Sequence, residues 1–299
     1  MNTEPVRRWI QQVYGIEAAS PGQRRARRYS VRDTEGLEWE LVTGELVLPE
    51  NDTVRWLEAD NNISIKQTRK GDKLADAGEA GWAYMYQKKP LSRGQAGKEE
   101  AHYRQLGACL AEKHCSWPEK LSLKDKDSVL LAEQTIKAEY RQMELLLPKG
   151  QTMIRQSIDA LFPVIERAAL QSEDIGFVFR EINRDQENAG GGVLCPGAMP
   201  GVHVSIYDLA ALLRDILLSF SGEQDYHPFA RMVFNELLAG YDSVRSIPLS
   251  SLQQFANILE WHDLYQYALL WRRDVTGAEA AVRVREQIRL EHRLPLLEI

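Results

Sequence analysis

The chain has 299 residues, 44% hydrophobic and 27% charged, with a formal net charge of −6. That composition is ordinary for a soluble protein, so disorder is not the default expectation. No apolar run approaches the roughly 20 residues that span a bilayer, and the N-terminus MNTEPVRRWIQQVYGI lacks the apolar core of a secretory signal, so a cytoplasmic, membrane-free protein is expected.

The first element read from the pattern is an amphipathic helix. Val6, Trp9, Ile10 and Val13 share one face, with Thr3 as N-cap and Gly15 as stop. A linker rich in Arg, Ala, Ser and Gly follows. The period then changes to two: RYSVRD, LEWELVTG, ELVLPE and NISIKQT predict a small antiparallel sheet between about residues 28 and 68. Residues 69–97 hold five glycines and no sustained period, which predicts loop with a short strand at WAYMYQ. KEEAHYRQLGACLAEKHC resumes helix. The polar, proline-broken WPEKLSLKDKD suggests a domain boundary, giving an α+β module over 1–117 and an all-α helical bundle over 118–299.

Within that second domain, DSVLLAEQTIKAEYRQMELLLP and TMIRQSIDALFPVIERAALQ carry apolar stripes joined by a short turn, hence an antiparallel pair, with Pro163 predicting a kink. SEDIGFVFREI fits both periods. It is assigned to helix because Ser172 can cap it and Glu173 and Asp174 suit a first turn. HVSIYDLAALLRDILLSF, HPFARMVFNELLAGY, PLSSLQQFANILEWHDLYQYALLWRR and TGAEAAVRVREQIRLEHRL complete the helices. The third has almost no polar face, which places it at the centre of a bundle or beneath another chain.

Several stretches offer chemistry. GGGVLCPGAMPGVHVS, residues 190–205, could gather backbone N–H groups around a phosphate with a helix starting near His203 or Ser205, but it lacks the ending of a P-loop and the spacing of a dinucleotide loop. It could also present Cys195 as a nucleophile, with His203 or His227 as base and Asp208 or Asp225 behind it. The plainer reading is a hinge between helical pairs. QRRARRYSVR clusters Arg24, Arg25, Arg27 and Arg28 beside Tyr29, residue types that contact nucleic-acid phosphates, although a solvated connector explains them as simply.

EADNNISIKQ sets Asp60 and Lys66 in the order of a metal-dependent nuclease, but Ser64 stands where a second carboxylate is needed. Cys109, Cys115 and Cys195 lack disulfide or zinc spacing, so reduced thiols, no metal and no cofactor are expected. Cys109 fits an apolar helix stripe, His262 reads as a helix-surface histidine, and Asp208 with Asp215 as polar-face acids. The acidic excess falls after residue 115, which disfavours a polyanion surface there.

No kinase, hydrolase, P-loop, Rossmann, zincin or deaminase signature is complete. The reading these observations favour is a non-catalytic intracellular interaction or assembly subunit, docking a protein partner or a second copy through Trp261, Tyr265 and Trp271. A nucleic-acid-binding protein, or an active or degenerate nuclease working through the N-terminal module, is the alternative. A cysteine-dependent or phosphate-binding enzyme at residues 190–205 comes third.

Overall fold

Helix α1 (Glu4–Tyr14) forms on the predicted stripe and stops where Gly15 turns to a φ of 70°. The structure, a computed structural model, describes residues 4–25, 28–44, 53, 63–78, 81–88, 99–121, 125–172, 174–179, 182–184, 194–196, 201–218, 226–272, 286–287 and 290. Beyond α1 the expected linker is in fact strand β1 (Ala18–Arg25), paired antiparallel with β2 (Arg28–Asp33). Strands β3 (Glu38–Gly44), β4 (Ile63–Lys66), β5 (Ala75–Asp76) and β6 (Trp82–Lys88) complete a sheet of order β1-β2-β3-β6-β4, with β5 also on β6. WAYMYQ, expected as a minor strand, is central.

The strand period deals β6 to two different cores. Ala83 and Met85 face outward and pack with Ile10, Tyr14, Val31, Trp39 and Leu41 beneath α1. Tyr84 and Tyr86 face the other way, stack with ring centroids 5.9 Å apart, and join Val42 and Leu74 in the main core shared with the helices. Both faces of β6 are therefore covered, which is why WAYMY reads as continuously apolar.

Helix α2 (Glu99–Leu121) runs through Pro118 and across the boundary expected at 117/118, and it packs along α6 (Tyr226–Asp242). Gly107 and Gly240 make that crossing possible. A Cβ on Gly107 would collide with the Leu237 carbonyl oxygen, and one on Gly240 with that of Arg104. Helices α3 (Asp125–Leu146) and α4 (Thr152–Gln171) form the expected hairpin, and Ile154, Ile158, Leu161, Ile165 and Ala169 of α4 are all buried. The Arg155 guanidinium closes its turn, donating to the carbonyls of Glu144 (3.0 Å), Leu147 and Pro148 (3.3 Å). This supplies donors to carbonyls that have no partner inside α3.

The all-α expectation for the second domain needs correction. SEDIGFVFREI is not a helix: Ile175–Val178 is strand β7 and Ile182–Arg184 strand β8. β7 pairs antiparallel with β10 (Gly201–Val204), and β8 with β9 (Leu194–Pro196). Gly176 disfavours helix by about 1 kcal/mol against Ala, and Ile175 and Val178 are β-branched. The stretch 190–205, expected as a hinge, thus holds two strands, and residues 190–193 and 197–200 lie outside the described residues.

α5 (Ile206–Leu218) begins directly after β10 and is buried nearly all round. The long aromatic segment divides at Gln254 into α7 (Leu249–Gln253) and α8 (Phe255–Leu269). Among the described residues no helix is long and apolar enough to cross a membrane.

Candidate functional site

The polar centre of the molecule lies where β7 ends and α5 begins. Asp208, in the first turn of α5, is fully buried, and its carboxylate accepts the backbone N–H of Phe179, the residue after β7, at 2.8 and 3.0 Å. His114 of α2 donates Nε2–H to the same carboxylate at 3.1 Å, because a carboxylate can only accept. His114 Nδ1 then accepts the Tyr241 hydroxyl at 2.7 Å. Lys113, beside His114 on α2, stands 5.5 Å from the centroid of the Phe179 ring. The segment leaving β7 is thereby held by α2, α5 and α6 together.

An Arg–Asp pair braces the start of β7. Arg245 donates to Asp174 at 2.6 Å, and the Asp174 backbone carbonyl accepts the N–H of Ser205 at 2.8 Å. Burial pushes the Asp174 carboxyl above the usual carboxylate range, and the opposing pull of Arg245 does not offset it. Burial likewise pushes the Tyr241 hydroxyl up, which keeps it a donor.

Deeper in the helices, Glu139 accepts Tyr207 O–H at 3.1 Å and the Trp261 indole N–H at 2.8 Å. His262 Nδ1–H donates to the Tyr207 oxygen at 3.1 Å. Arg214 donates to Asp263 at 2.7 Å and lies 3.8 Å from Glu286.

Several expectations change against this geometry. Asp208 is not a polar-face acid but the buried hub of the network, and His262 is not a surface histidine. His203, expected near a helix start beside Cys195, is buried on β10 with its ring 4.3 Å from that of Tyr207, and its Nδ1 accepts the Val204 N–H. Cys195 stands on β9 opposite Asn183, in the other two-stranded ladder. His227 is exposed on α6, and Asp225 lies outside the described residues.

Lys66 is on β4 with its ammonium 5.3 Å from the Trp39 ring centroid, and Asp60 lies outside the described residues. Arg24, Arg25 and Arg28 are on the β1–β2 hairpin, and Arg27 is outside the described residues. Trp261 and Tyr265 are enclosed within one copy, and Trp271 is half-buried. A helix apolar all round is the core of its own domain here. His114 was missed and Asp208 was read as a polar-face acid or as the acid behind Cys195, because a single acid on a helix buried nearly all round carries no periodic signal.

By sequence the chain matches no family model and no curated protein. Among solved structures it is similar over its whole length to the amicoumacin kinase hAmiN in complex with AMP-PNP, Ca2+ and Ami, at 18% identity and a TM-score of 0.66, covering 100% of this chain and 96% of that one. It is similar to a microcompartment-associated aminopropanol kinase at 13% identity and a TM-score of 0.60, covering 96% and 94%. The spectinomycin phosphotransferase APH(9)-Ia, in complex with ADP and spectinomycin, matches at 11% identity and a TM-score of 0.53, covering 98% and 95%. This likeness overturns the expectation of a non-catalytic assembly subunit, and with it the nuclease and cysteine-enzyme alternatives. The chain shares its mixed α+β fold with these three structures.

Proposed function

We propose that the protein is a kinase-type enzyme that phosphorylates a hydroxyl group of a small amine-bearing molecule. The observation that carries the reading is the fold match over the whole chain, from the antiparallel sheet to the last helices. The aminopropanol kinase names an amino alcohol as the class of acceptor, and the acidic excess after residue 115 favours a cationic one, since a field of that sign raises its local concentration.

A residue pattern at the site supports the same reading. Protein kinases carry H-R-D-x-x-x-x-N in their catalytic loop, where the Asp accepts the proton of the substrate hydroxyl. After β7 this chain reads Phe179-Arg180-Glu181 and reaches Gln186 five residues later. Arginine is retained, and glutamate and glutamine stand one methylene longer than the aspartate and asparagine. In this reading Asp208 and His114 position the segment by fixing Phe179, and Glu181 takes the hydroxyl proton.

The nucleotide and metal that the fold implies meet a poorer fit. A kinase carries a phosphate-directed lysine on its third strand, but β3 reads EWELVTG, with Glu40 and Val42 on the face turned to the main core. Among the described residues no three His, Cys, Asp or Glu side chains are grouped to hold a metal ion. The described residues do not reproduce the kinase's phosphate and metal contacts.

The test is ADP formation from Mg-ATP with a panel of amino alcohols. Wild-type protein turns over with at least one of them and Glu181→Gln loses the activity. No ADP above the no-acceptor control across the panel removes the proposal.

A further inference from the structure

One side of α4 is spent on the core, through Ile154, Ile158, Leu161, Ile165 and Ala169, yet the opposite side is apolar as well. Among the described residues eight large hydrophobic side chains are exposed, and five of them lie on a single helical hairpin: Leu130 and Leu145 on α3, Met153, Val164 and Leu170 on α4. Scattered singly they would need no explanation, but gathered on one element they mark a contact surface. Along α4 the exposed positions Met153, Gln156, Ala160, Pro163, Arg167 and Leu170 recur at alternating steps of three and four. That spacing is the seam of a helix that packs on another helix.

The seam is symmetric, and the symmetry points to its occupant. Its six residues pair about the midpoint between Leu161 and Phe162: Met153 with Leu170, Gln156 with Arg167, Ala160 with Pro163. Laid antiparallel on a second copy of itself, the helix sets apolar against apolar at both ends, amide against guanidinium next, and small residues at the axis, where two backbones come closest. Asp159, exposed beside the place where the Arg167 of a second copy arrives, adds a carboxylate for the guanidinium. Tyr140 donates to that carboxylate at 2.9 Å and holds it in place. Pro163 has no N–H to give the Asp159 carbonyl, which leaves this acceptor near the axis to a group outside the helix.

We infer that α4, with the flanking face of α3, is the interface of a two-fold dimer of this chain. The antiparallel hairpin sets Leu145 at the Met153 end and Leu130 at the Leu170 end, so the same axis brings the two unlike ends together. Two helices about 10 Å apart and about 30 Å long offer roughly 600 Å² per copy, the low end of a specific interface. A reversible dimer follows. The pairing holds whatever reaction the protein performs.

Sedimentation velocity of the full chain between about 1 and 300 µM tests it. Wild type passes from the mass of one chain to that of two as concentration rises. Ala160→Glu sets carboxylates against each other across the axis and weakens association by at least about tenfold. Gln156→Glu gives each Arg167 a carboxylate directly opposite, so it tightens association roughly twofold to tenfold at low salt, and the gain shrinks as salt rises. Both positions are exposed, and circular dichroism and Tm at the dilute end match wild type. Should Ala160→Glu melt early, the Gln156→Glu comparison decides alone.

The mass of one chain at every concentration overturns the inference and leaves the seam to a different protein. A dimer that a well-folded Ala160→Glu leaves intact places the contact on another face and overturns it too. So does a dimer that Gln156→Glu fails to tighten, since the antiparallel register then has no support.

Discussion

The sheet and the helical layer treat polar groups in opposite ways. Beneath α1 the buried set is almost wholly apolar, with the Tyr14 hydroxyl donating to the Ala83 carbonyl as a rare polar contact. The helical layer instead buries Glu139, Asp174, Asp208, His114 and His262 and pairs each of them. A low-dielectric interior makes a satisfied network rigid and an unsatisfied one expensive. The segment that enters the proposed site leaves β7 from the middle of that network, so position is specified there by polar bonds rather than by apolar packing alone.

The sharpest way to break the contrast is Asp208→Ala. It strands the Phe179 N–H and one His114 nitrogen, and the expected loss is about 3–5 kcal/mol in urea-induced unfolding. An equal loss from truncating an apolar residue of the sheet, with no extra effect on activity, would remove the distinction between the two layers. Gly240→Ala comes next. The added methyl group meets the Arg104 carbonyl, and about 1–3 kcal/mol of overpacking cost is expected, read as a lowered denaturation midpoint.

A smaller effect is expected from pH. The folded-state pKa of Asp174 is raised, so the native state binds its proton more tightly than the unfolded chain. Stability from this group is present below the unfolded value of about 4 and is lost as pH rises through the raised value. Asp174→Asn flattens that segment of the Tm-versus-pH curve relative to wild type, and a parallel curve would contradict the assignment. The smallest effect belongs to Arg104, whose largely exposed pair with Glu236 spans 2.7 and 3.1 Å. Arg104→Ala costs about 0–1 kcal/mol by the same denaturation measurement.

What the sequence made legible follows from periodicity. The stripes of α1 and α4 and the alternation in β2 and β3 each expose one face to water or to a neighbour, and a period shows only when two faces differ. The run Gly201–Val204 is buried at every position, and so is most of α5, so neither betrays its geometry by alternation. The aromatic residues of α8 misled for a related reason. Trp261 and Tyr265 look surplus to one copy until α3, α4 and α5 are seen wrapped around them. Glu181, outside the described residues, gave no signal in the sequence, since an Arg-Glu pair is common in any helix.

At the Gly107 and Gly240 crossing two main chains rest against each other without side chains to cushion them. Tyr241 is the very next residue, and its hydroxyl reaches His114 on the opposing helix. A push on α2 from a bound molecule would therefore travel as a stiff rod displaces its neighbour, carrying Tyr241 and Arg245 along and tugging at both ends of β7.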